Sequence, residues 1–411
     1  MKEKKHFFLF TLTTCIALVF SHFTAAAQTD TVKNIPPIPG YKVGIFAPLY
    51  LDSVFTEKDF RYKQGIPRFI MPAVDFVQGA QVALDSMQQG NENIEASIFD
   101  SKAYIQNVPW LIRNKKLDSL NLIIGNVKDA EYKQLADFAL QKKIPFISVT
   151  YPNDGGIVAN PYLVIMNSTL RSHCEAIYSY LLQNHGTDKI YLCRKPGAQE
   201  DQVADFFKQI NEQEGQPLLP IQVLNFDSPP TSEYIKSKLD SNRKTVIIGG
   251  SLEENFASNL AAACFDLNGV YPITLIGMPT WDGFACFHKK EGLLNFPVYF
   301  TTAYWNNKWD DYSKMLMNAY TKKFKGKPSD MAYKGFESVY LFTKLLARFP
   351  ADVTTHLNDK TLKIFSEYNF RPVLLKKDNL PTGPAGETPD YFENKHLYFI
   401  KMVNGTTSRV W

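Results

Sequence analysis

The sequence predicts an α/β protein of two doubly wound parallel-sheet lobes joined by multiple hinge crossovers. Short apolar runs alternate with amphipathic helical segments through two successive halves of the chain, and such alternation is typical of parallel sheets with helices on both faces. Two long helical patterns then follow with no strand between them. The chain has 411 residues, which exceeds what one hydrophobic core usually supports, so we expect two lobes.

Residues 1–27 have the composition of a secretory signal peptide. Three early lysines precede an apolar run over residues 7–20, and three alanines over residues 25–27 stand before Gln28. We expect cleavage near Ala27, export to the periplasm, and an extended leader over residues 28–40.

Two alternatives concern the same segment. A membrane anchor needs about 20 apolar residues, and the run here is shorter. Lipidation at Cys15 needs a small residue before the cysteine, where the sequence has Thr14. We therefore expect no membrane span after residue 27.

Composition agrees with an exported globular protein. Hydrophobic residues make up 45% of the chain and charged residues 21%, with a net charge of +4. Such a small excess does not predict a nucleic-acid partner. The sequence has no CxxC or zinc-ligand spacing, so we expect no metal and no cofactor. An oxidising compartment permits one or two disulfides, but the predicted settings favour buried free thiols. The cysteines after residue 27 are Cys174, Cys193, Cys264 and Cys286.

The first half opens with a buried strand over residues 42–49, an apolar run closed by a proline. A long aromatic and basic loop follows over residues 50–71. Apolar residues then recur at helical spacing over 74–89, before Gly90. The other elements predicted in this half are strands over 94–99, 120–124 and 144–149 and a helix over 130–142.

The second half repeats this alternation. Ser251 and Glu254 have capping-box spacing, which predicts a helix start there. The predicted strands lie over 162–166, 189–193, 221–226, 245–248 and 273–276. The predicted helices lie over 171–184, 201–213, 232–239 and 252–267.

The remaining chain predicts a return to the first lobe. An aromatic strand over 296–305 precedes helices over 310–324 and 332–348, which we expect to cover the first sheet. A hairpin is predicted over 395–403 and 406–411, with Asn404 and Gly405 as its turn. We expect hinge crossings near residues 160–161, 295–297 and 350. The expected first lobe is 41–160 plus 297–350, and the expected second lobe is 161–296 plus 351–411.

Several segments carry a family resemblance. They read KVGIFAPL, DFVQGAQVALDSM, LIIGNVKDAEYKQLADFALQKKIPFISVT and KPSDMAYKGFESVYLFTKLLARF. In this order they resemble the type I periplasmic binding proteins of the leucine/isoleucine/valine-binding group, which are substrate-binding proteins of ABC transporters. The DFVQGAQVALDS stretch is similar to Bacteroidetes-type variants. The resemblance covers nearly the whole chain after residue 27 and implies the periplasmic binding protein-like I fold.

The resemblance also implies a ligand site between the lobes, at the carboxyl ends of the strands. The family's carboxylate site follows Gly125, where this chain has Lys128 and Asp129. Thr150 and Tyr151 follow the strand of the IPFIS segment, and a proline stands at the usual threonine. The family's second-lobe aromatic contacts fall near Gln199 and Ser251.

The resemblance also implies an acidic partner for a ligand ammonium group in residues 277–282, where Asp282 is the carboxylate. Aromatic side chains after strand ends are further candidates, although rings of this kind also serve packing. Lys128 and Asp129 also have an alternative interpretation, as solvent-exposed residues at a helix start with a charge that complements the helix dipole. The full candidate set is Tyr50, Lys128, Asp129, Thr150, Tyr151, Gln199, Ser251, Thr280, Trp281, Asp282 and Trp305.

Two functions of different class remain open. The first is an extracytoplasmic solute-binding protein that closes its cleft on a small polar ligand, amino-acid-like or peptide-like, for an ABC-type uptake or sensing system. The second is an interaction module of the same fold that docks an envelope protein or cell-wall component. We expect no enzyme, since the sequence has no GxSxG, HExxH, P-loop or GxGxxG motif and its histidines are scattered.

Overall fold

The computed structural model describes residues 40–56, 59–63, 65–88, 93–213, 215–289, 292–375 and 388–411. The expected signal peptide over 1–27 and nearly all of the expected leader lie outside these residues. Among the helices that the structure describes, none is long and apolar enough to cross a membrane.

Strands and helices alternate along the chain. The strands are β1 (Tyr41–Ala47), β2 (Ile94–Asp100), β3 (Leu122–Gly125), β4 (Phe146–Ser148), β5 (Leu163–Ile165), β6 (Lys189–Arg194), β7 (Glu212–Gln213), β8 (Gln216–Pro217), β9 (Ile221–Asn225), β10 (Thr245–Gly249), β11 (Ile273–Gly277), β12 (Val298–Thr302), β13 (Phe370–Val373), β14 (Tyr391–Asn394), β15 (Tyr398–Val403) and β16 (Thr406–Arg409). The helices are α1 (Leu51–Val54), α2 (Met71–Gln88), α3 (Val108–Arg113), α4 (Asp129–Lys142), α5 (Leu170–Asn184), α6 (Ala198–Asn211), α7 (Ser232–Lys236), α8 (Glu254–Leu267), α9 (Ala285–His288), α10 (Asp311–Phe324) and α11 (Asp330–Arg348).

The structure contains two seven-stranded sheets. The first has the order β13-β14-β5-β4-β3-β1-β2, and the second has the order β16-β15-β12-β11-β10-β6-β9. Both are mixed, because β13 and the β15–β16 hairpin pair antiparallel while the other neighbours pair parallel. In each sheet the strand order reverses beside the lobe's first strand, which is the doubly wound arrangement that the sequence predicts.

The sequence patterns explain where these elements are buried. The buried positions of β1 and β3 carry apolar residues on both faces of the first sheet, because helices cover both faces. Helices α2, α10 and α11 pack on one face, and α3 and α4 pack on the other. The predicted covering of the first sheet by the two late helices is confirmed. A single apolar cluster in the second lobe joins its sheet to α5, α6, α7 and α8.

Two glycines set the distance between α2 and α11. A Cβ at Gly79 would overlap the carbonyl of Ala332, and a Cβ at Gly335 would overlap the carbonyl of Phe76. The helix backbones therefore touch, and this contact brings the start of α11 close to the carboxyl edge of the first sheet.

A buried carboxylate holds the chain after α11. Glu337 accepts hydrogen bonds from the Ser366 amide at 2.7 Å, the Ser366 hydroxyl at 2.9 Å and the Tyr368 hydroxyl at 2.8 Å. Burial raises the pKa of Glu337, and these hydrogen bonds oppose the rise. The segment that leads to β13 is thereby fixed against the first lobe.

The chain passes between the sheets three times, at residues 167–169, 303–310 and 395–397. These crossings differ from the predicted positions. Sheet membership differs as well: β5 pairs with β4, and β14 pairs with β5, so these strands lie in the first sheet, whereas β12 pairs with β11 in the second. The first two crossings differ because β5 pairs in the first sheet and β12 pairs in the second. The third differs because β13 and β14, which the sequence analysis did not predict, extend the first sheet.

All four described cysteines are free. Cys174, Cys193 and Cys264 are buried and Cys286 is half-buried. Burial raises the pKa of each of these thiols. They pack as small apolar groups, the alternative that the sequence favoured over disulfides.

Candidate functional site

A pocket of about 270 Å³ opens at the carboxyl edge of the first sheet. It lies where the strand order reverses, the usual ligand position in doubly wound sheets. We call it the first-lobe pocket. Its lining includes Pro48, Tyr50, Phe69, Ser101, Lys102, Asn126, Lys128, Glu131, Thr150, Tyr151 and Met331. The structure thus brings together four of the predicted residues, namely Tyr50, Lys128, Thr150 and Tyr151.

Polar groups at the base of the first-lobe pocket follow β3 and β4. The Thr150 hydroxyl donates to Asn126 Oδ1 at 2.7 Å. The Asn126 amide donates to the Phe46 carbonyl at 2.9 Å, and Asn167 Nδ2 donates to the Thr150 carbonyl at 2.8 Å. These bonds fix Asn126 and Thr150 as a rigid polar floor.

Aromatic rings form the wall above this floor. Tyr151 packs edge-on against Tyr132, with ring centroids 5.0 Å apart, and Tyr50 packs edge-on against Phe69 at 5.6 Å. Tyr50 has φ 52°, a left-handed conformation that is strained for a bulky residue. Asp100 holds it there, because its carboxylate accepts from the backbone amides of Leu49, Tyr50 and Leu51 at 3.0, 3.1 and 2.7 Å.

The charges around the first-lobe pocket are largely paired. Lys102 Nζ lies 2.8 Å from Glu131 Oε1. Burial opposes ionisation of Lys102, but this hydrogen bond and the Glu131 charge raise its pKa above the ordinary value. Lys128 and Asp129 are both exposed and 3.9 Å apart. Lys128 is the residue before α4 and its side chain does not cap the helix, while Asp129 and Glu131 place two carboxylates in the first turn.

A second and larger cavity, the interlobe groove, has a volume of about 840 Å³. The second lobe lines it with Asp282, Thr302 and Tyr398, and the first lobe with Asp330 and Lys334. Trp305 of the second crossing lines it too. Met331 lines the first-lobe pocket and its neighbour Asp330 lines the groove, so the two cavities lie on either side of the start of α11.

Opposite charges face each other across the interlobe groove. Burial raises the pKa of the Asp282 carboxyl, and the charges of His288 and Lys334 oppose the rise. Burial lowers the pKa of the Lys334 amine, and the charges of Asp330 and Asp282 oppose that shift. Asp282 belongs to the second lobe and Lys334 to the first, so closure of the groove would bring these two charges together.

Trp281 lies elsewhere, and the expectation that it contacts a ligand needs correction. It is 0% exposed, stacks on Phe287 at 5.2 Å and donates from Nε1 to the Ser251 carbonyl at 2.9 Å. Gly249 and Gly277 leave the space for its indole ring, since a Cβ at either would overlap it. Trp281 therefore packs the second lobe and offers no face to a ligand.

Ser251 is corrected for the same reason. Its side chain is fully buried, and its hydroxyl donates to Glu200 Oε1 at 2.7 Å. The predicted capping box is wrong, because Glu253 stands at the cap position and Glu254 accepts from the Cys286 amide at 3.0 Å. Ser251 thus fastens α6 to the loop after β10.

Gln199 and Thr280 are exposed, and neither lines the pocket or the groove. The Thr280 hydroxyl donates to the Leu252 carbonyl at 3.3 Å. The eleven predicted residues are therefore dispersed over the pocket, its rim, the groove, the second-lobe interior and the second-lobe surface.

Sequence reasoning did not select several pocket residues. The sequence analysis selects the charged residues Lys128 and Asp129 and not Asn126, although Asn126 is the first residue after β3. Ser101 and Lys102 directly follow β2. Their position just after a strand is the sequence signal that could have identified them as pocket residues. Phe69 comes from the long loop, whose course the sequence does not define. In the described residues, no group of three or more His, Cys, Asp or Glu side chains is placed to hold a metal ion.

Comparisons with solved structures show the fold. The chain is similar to the branched-chain amino acid transporter substrate binding protein LivJ from Streptococcus pneumoniae in complex with isoleucine, at 16% identity and a TM-score of 0.52, covering 90% of this chain and 99% of that one. It is similar to an ABC transporter substrate-binding protein from Desulfitobacterium hafniense in complex with Leu, at 13% identity and a TM-score of 0.53, covering 90% and 100%.

A third similar structure is a branched chain amino acid ABC transporter periplasmic ligand-binding protein from Burkholderia xenovorans, at 12% identity and a TM-score of 0.58, covering 90% of this chain and 94% of that one. No curated protein sequence matches the chain. The family described as periplasmic binding protein matches residues 72–371. This match spans most of both lobes, and the chain belongs to the periplasmic binding protein family.

Proposed function

We propose that this protein is an extracytoplasmic solute-binding protein that closes its interlobe cleft on a small polar ligand with an apolar part, amino-acid-like or peptide-like, for an ABC-type uptake or sensing system. Family membership supports the binding role. The ligand class rests on the site residues, and the permease or sensor partner follows from the relatives' described roles. Export to the periplasm accords with the signal-like composition of residues 1–27.

The first-lobe pocket carries the proposal. Its floor offers the side-chain amide of Asn126 and the Thr150 hydroxyl, and its wall is made of Tyr50, Phe69 and Tyr151. A polar head group would bond to the floor while an apolar part packs against the rings. At the rim, Lys128 is the cation that would attract a carboxylate, because Asp129 and Glu131 already place negative charge in the first turn of α4.

The crossings between the lobes support closure. The first and third run side by side, tied by Glu393 of β14. This buried carboxylate accepts from the Thr169 amide at 2.7 Å and the Ser172 hydroxyl at 2.7 Å, and lies 2.9 Å from Lys395 Nζ. Such a clamp ties two of the three crossings together, and hinge closure around a ligand uses a few such terminal residues.

A thermal-shift screen against the twenty amino acids and a set of dipeptides tests the proposal. A ligand present at 100 times its Kd stabilises the folded state by about 2.7 kcal/mol, which moves the unfolding midpoint by several degrees. We expect at least one ligand to do so and Asn126→Ala to abolish its shift.

Thr280→Val is the matched control, since Thr280 lies outside both cavities. Its shift should equal that of the wild type. No shift with any ligand in a well-folded sample, or a shift that survives Asn126→Ala unchanged, would contradict the proposed site.

A further inference from the structure

An exposed aromatic surface lies beside the first-lobe pocket. Two loops that follow β1 and β2 contribute Phe55, Phe60, Tyr62, Phe69, Tyr104 and Ile105, which we call the aromatic ledge. Phe55 is 47% exposed and Ile105 is 77% exposed. Single exposed apolar side chains are ordinary, but a cluster of large ones indicates a surface that binds something.

The aromatic ledge is an ordered surface. Phe55 and Phe60 pair through their backbones and their ring centroids lie 5.4 Å apart. Phe60 continues to Tyr62 at 6.0 Å. The Tyr104 hydroxyl and Ser53 Oγ are hydrogen-bonded at 2.5 Å, and the Tyr104 amide donates to Asp52 at 2.7 Å. The two loops are therefore tied together.

The aromatic ledge is continuous with the first-lobe pocket. Phe69 belongs to both, since it lines the pocket and is also exposed. Tyr50 lines the pocket, and the short helix α1 leads directly from it to Phe55. At 1.5 Å per helical residue, Phe55 lies about 8 Å along the chain from Tyr50.

Charge at the aromatic ledge is slightly positive. Among the described residues of the first loop, Arg61, Lys63 and Arg68 stand against Asp52 and Asp59, an excess of one positive charge. Lys63 and Arg68 form no ion pair with any described residue. Exposed cations beside aromatic rings favour a ligand that carries both apolar and acidic groups.

We propose that the cleft takes a short peptide with apolar and acidic side chains, one residue seated in the first-lobe pocket and the remainder lying on the aromatic ledge. This inference rests on the proposed solute-binding function and narrows its ligand class. At about 270 Å³ the pocket is slightly below the common range of ligand sites, about 300–1,000 Å³. A free amino acid would fill it and leave the adjoining rings in water.

Titration calorimetry of the purified protein with the tripeptide Leu-Phe-Glu and with free leucine tests the inference. The double variant Phe55→Ser/Phe60→Ser removes two ledge rings, and Phe265→Ser is the matched control, because Phe265 is 36% exposed on the second lobe. Circular dichroism melts verify that the variants fold.

We expect the tripeptide to bind at least about tenfold more tightly than leucine, since burial of one or two exposed rings contributes on this scale. The double variant should lose this advantage while its affinity for leucine stays unchanged, and Phe265→Ser should match the wild type. Lys63→Glu/Arg68→Glu should weaken binding of Leu-Phe-Glu several-fold but leave Leu-Phe-Gln unaffected.

Equal affinities for tripeptide and leucine, or a tripeptide affinity that the double variant does not change, would overturn the inference and leave the proposed function standing. Failure of both probes and of the amino-acid screen would overturn both. Self-association of the wild type that the double variant abolishes, seen by sedimentation velocity, would assign the aromatic ledge to a second copy of the chain and also overturn the inference.

Discussion

The two faces of the cleft differ in where the polar side chains after their strands point. On the first lobe, Asn126 and Thr150 form a floor that opens to a pocket. On the second lobe, the corresponding strand-end loops turn inward, where Ser251 bonds to Glu200 and Trp281 is buried over two glycines. The second lobe also has a pocket, of about 230 Å³, but Lys195, Phe226, Asp227 and Glu253 line it, and neither Ser251 nor Trp281 does. The comparison teaches that the same doubly wound topology turns a strand-end loop toward a pocket or into the core, depending on the few residues after each strand.

Trp281→Ala should give the largest effect if the second-lobe face is a packed interior. Removing a fully buried Trp leaves a large cavity and costs about 3–5 kcal/mol. Urea unfolding followed by circular dichroism measures this loss. Trp309→Ala is the control: Trp309 is 79% exposed, so its loss should stay within about 0.5 kcal/mol. An equal effect of both variants would contradict the distinction.

His173 should make the second lobe lose stability in mild acid. Burial lowers its pKa to about 4, with the nearby Glu393 charge opposing the shift, and its Nδ1 is hydrogen-bonded to Thr301 Oγ1 at 2.7 Å. The unfolded chain binds a proton near pH 6.5 and the folded chain does not until about pH 4. Stability should therefore be full above pH 6.5 and fall by about 3 kcal/mol as the pH drops to 4.

Thermal midpoints of the wild type and of His173→Gln across pH 4 to 7.5 measure this dependence. Subtracting the midpoint of the variant from that of the wild type at each pH removes the contributions of other groups. One of these is Glu337, whose raised pKa increases stability as the pH falls. If the difference is independent of pH, His173 does not stay neutral in the folded state.

Thr150→Val tests the first-lobe face with a nearly isosteric change. It removes the hydroxyl that donates to Asn126 and faces the pocket. The loss of one hydrogen bond corresponds to about 0.5–1.5 kcal/mol, or roughly threefold to tenfold in affinity. Titration calorimetry with a ligand from the screen measures it. Ser251→Ala, the counterpart on the second lobe, should lower stability and leave affinity unchanged; the reverse pattern would invert the comparison.

Lys128→Ala should give the smallest effect on stability. Its side chain is exposed and its pairing with Asp129 at 3.9 Å is solvent-screened, so the change should stay within about 0.5 kcal/mol. Affinity for an anionic ligand should fall several-fold while that for an uncharged analogue holds. Equal losses for both ligands, measured by calorimetry, would show that Lys128 shapes the rim without acting through its charge.

Sequence reasoning predicted the architecture well because its signals are local. The apolar runs at β1, β3 and β10 and the helical spacing of α2 and α11 locate the elements to within a few residues. It missed β13 and β14, which are short and paired with a distant part of the chain, because nothing local marks them. The third hinge position failed with them, and the first two failed because the sequence analysis assigned β5 and β12 to the wrong lobe.

The candidate site was harder to predict because burial direction is a tertiary property. Trp281 and Tyr151 both follow strands and both are aromatic, yet one faces the core and the other faces the pocket. Only the glycines at positions 249 and 277, which leave space for an indole ring, hint at the difference. Likewise the role of Asp100 depends on backbone amides some fifty residues earlier in the chain.

Small-angle X-ray scattering with and without a ligand from the thermal-shift screen tests the central claim most directly. That claim is closure of the lobes on a ligand that the first-lobe face holds. We predict a decrease in radius of gyration and maximum dimension when the ligand saturates the wild type, and no such change for Asn126→Ala at the same ligand concentration. A scattering profile that does not change on saturation of the wild type would contradict the account.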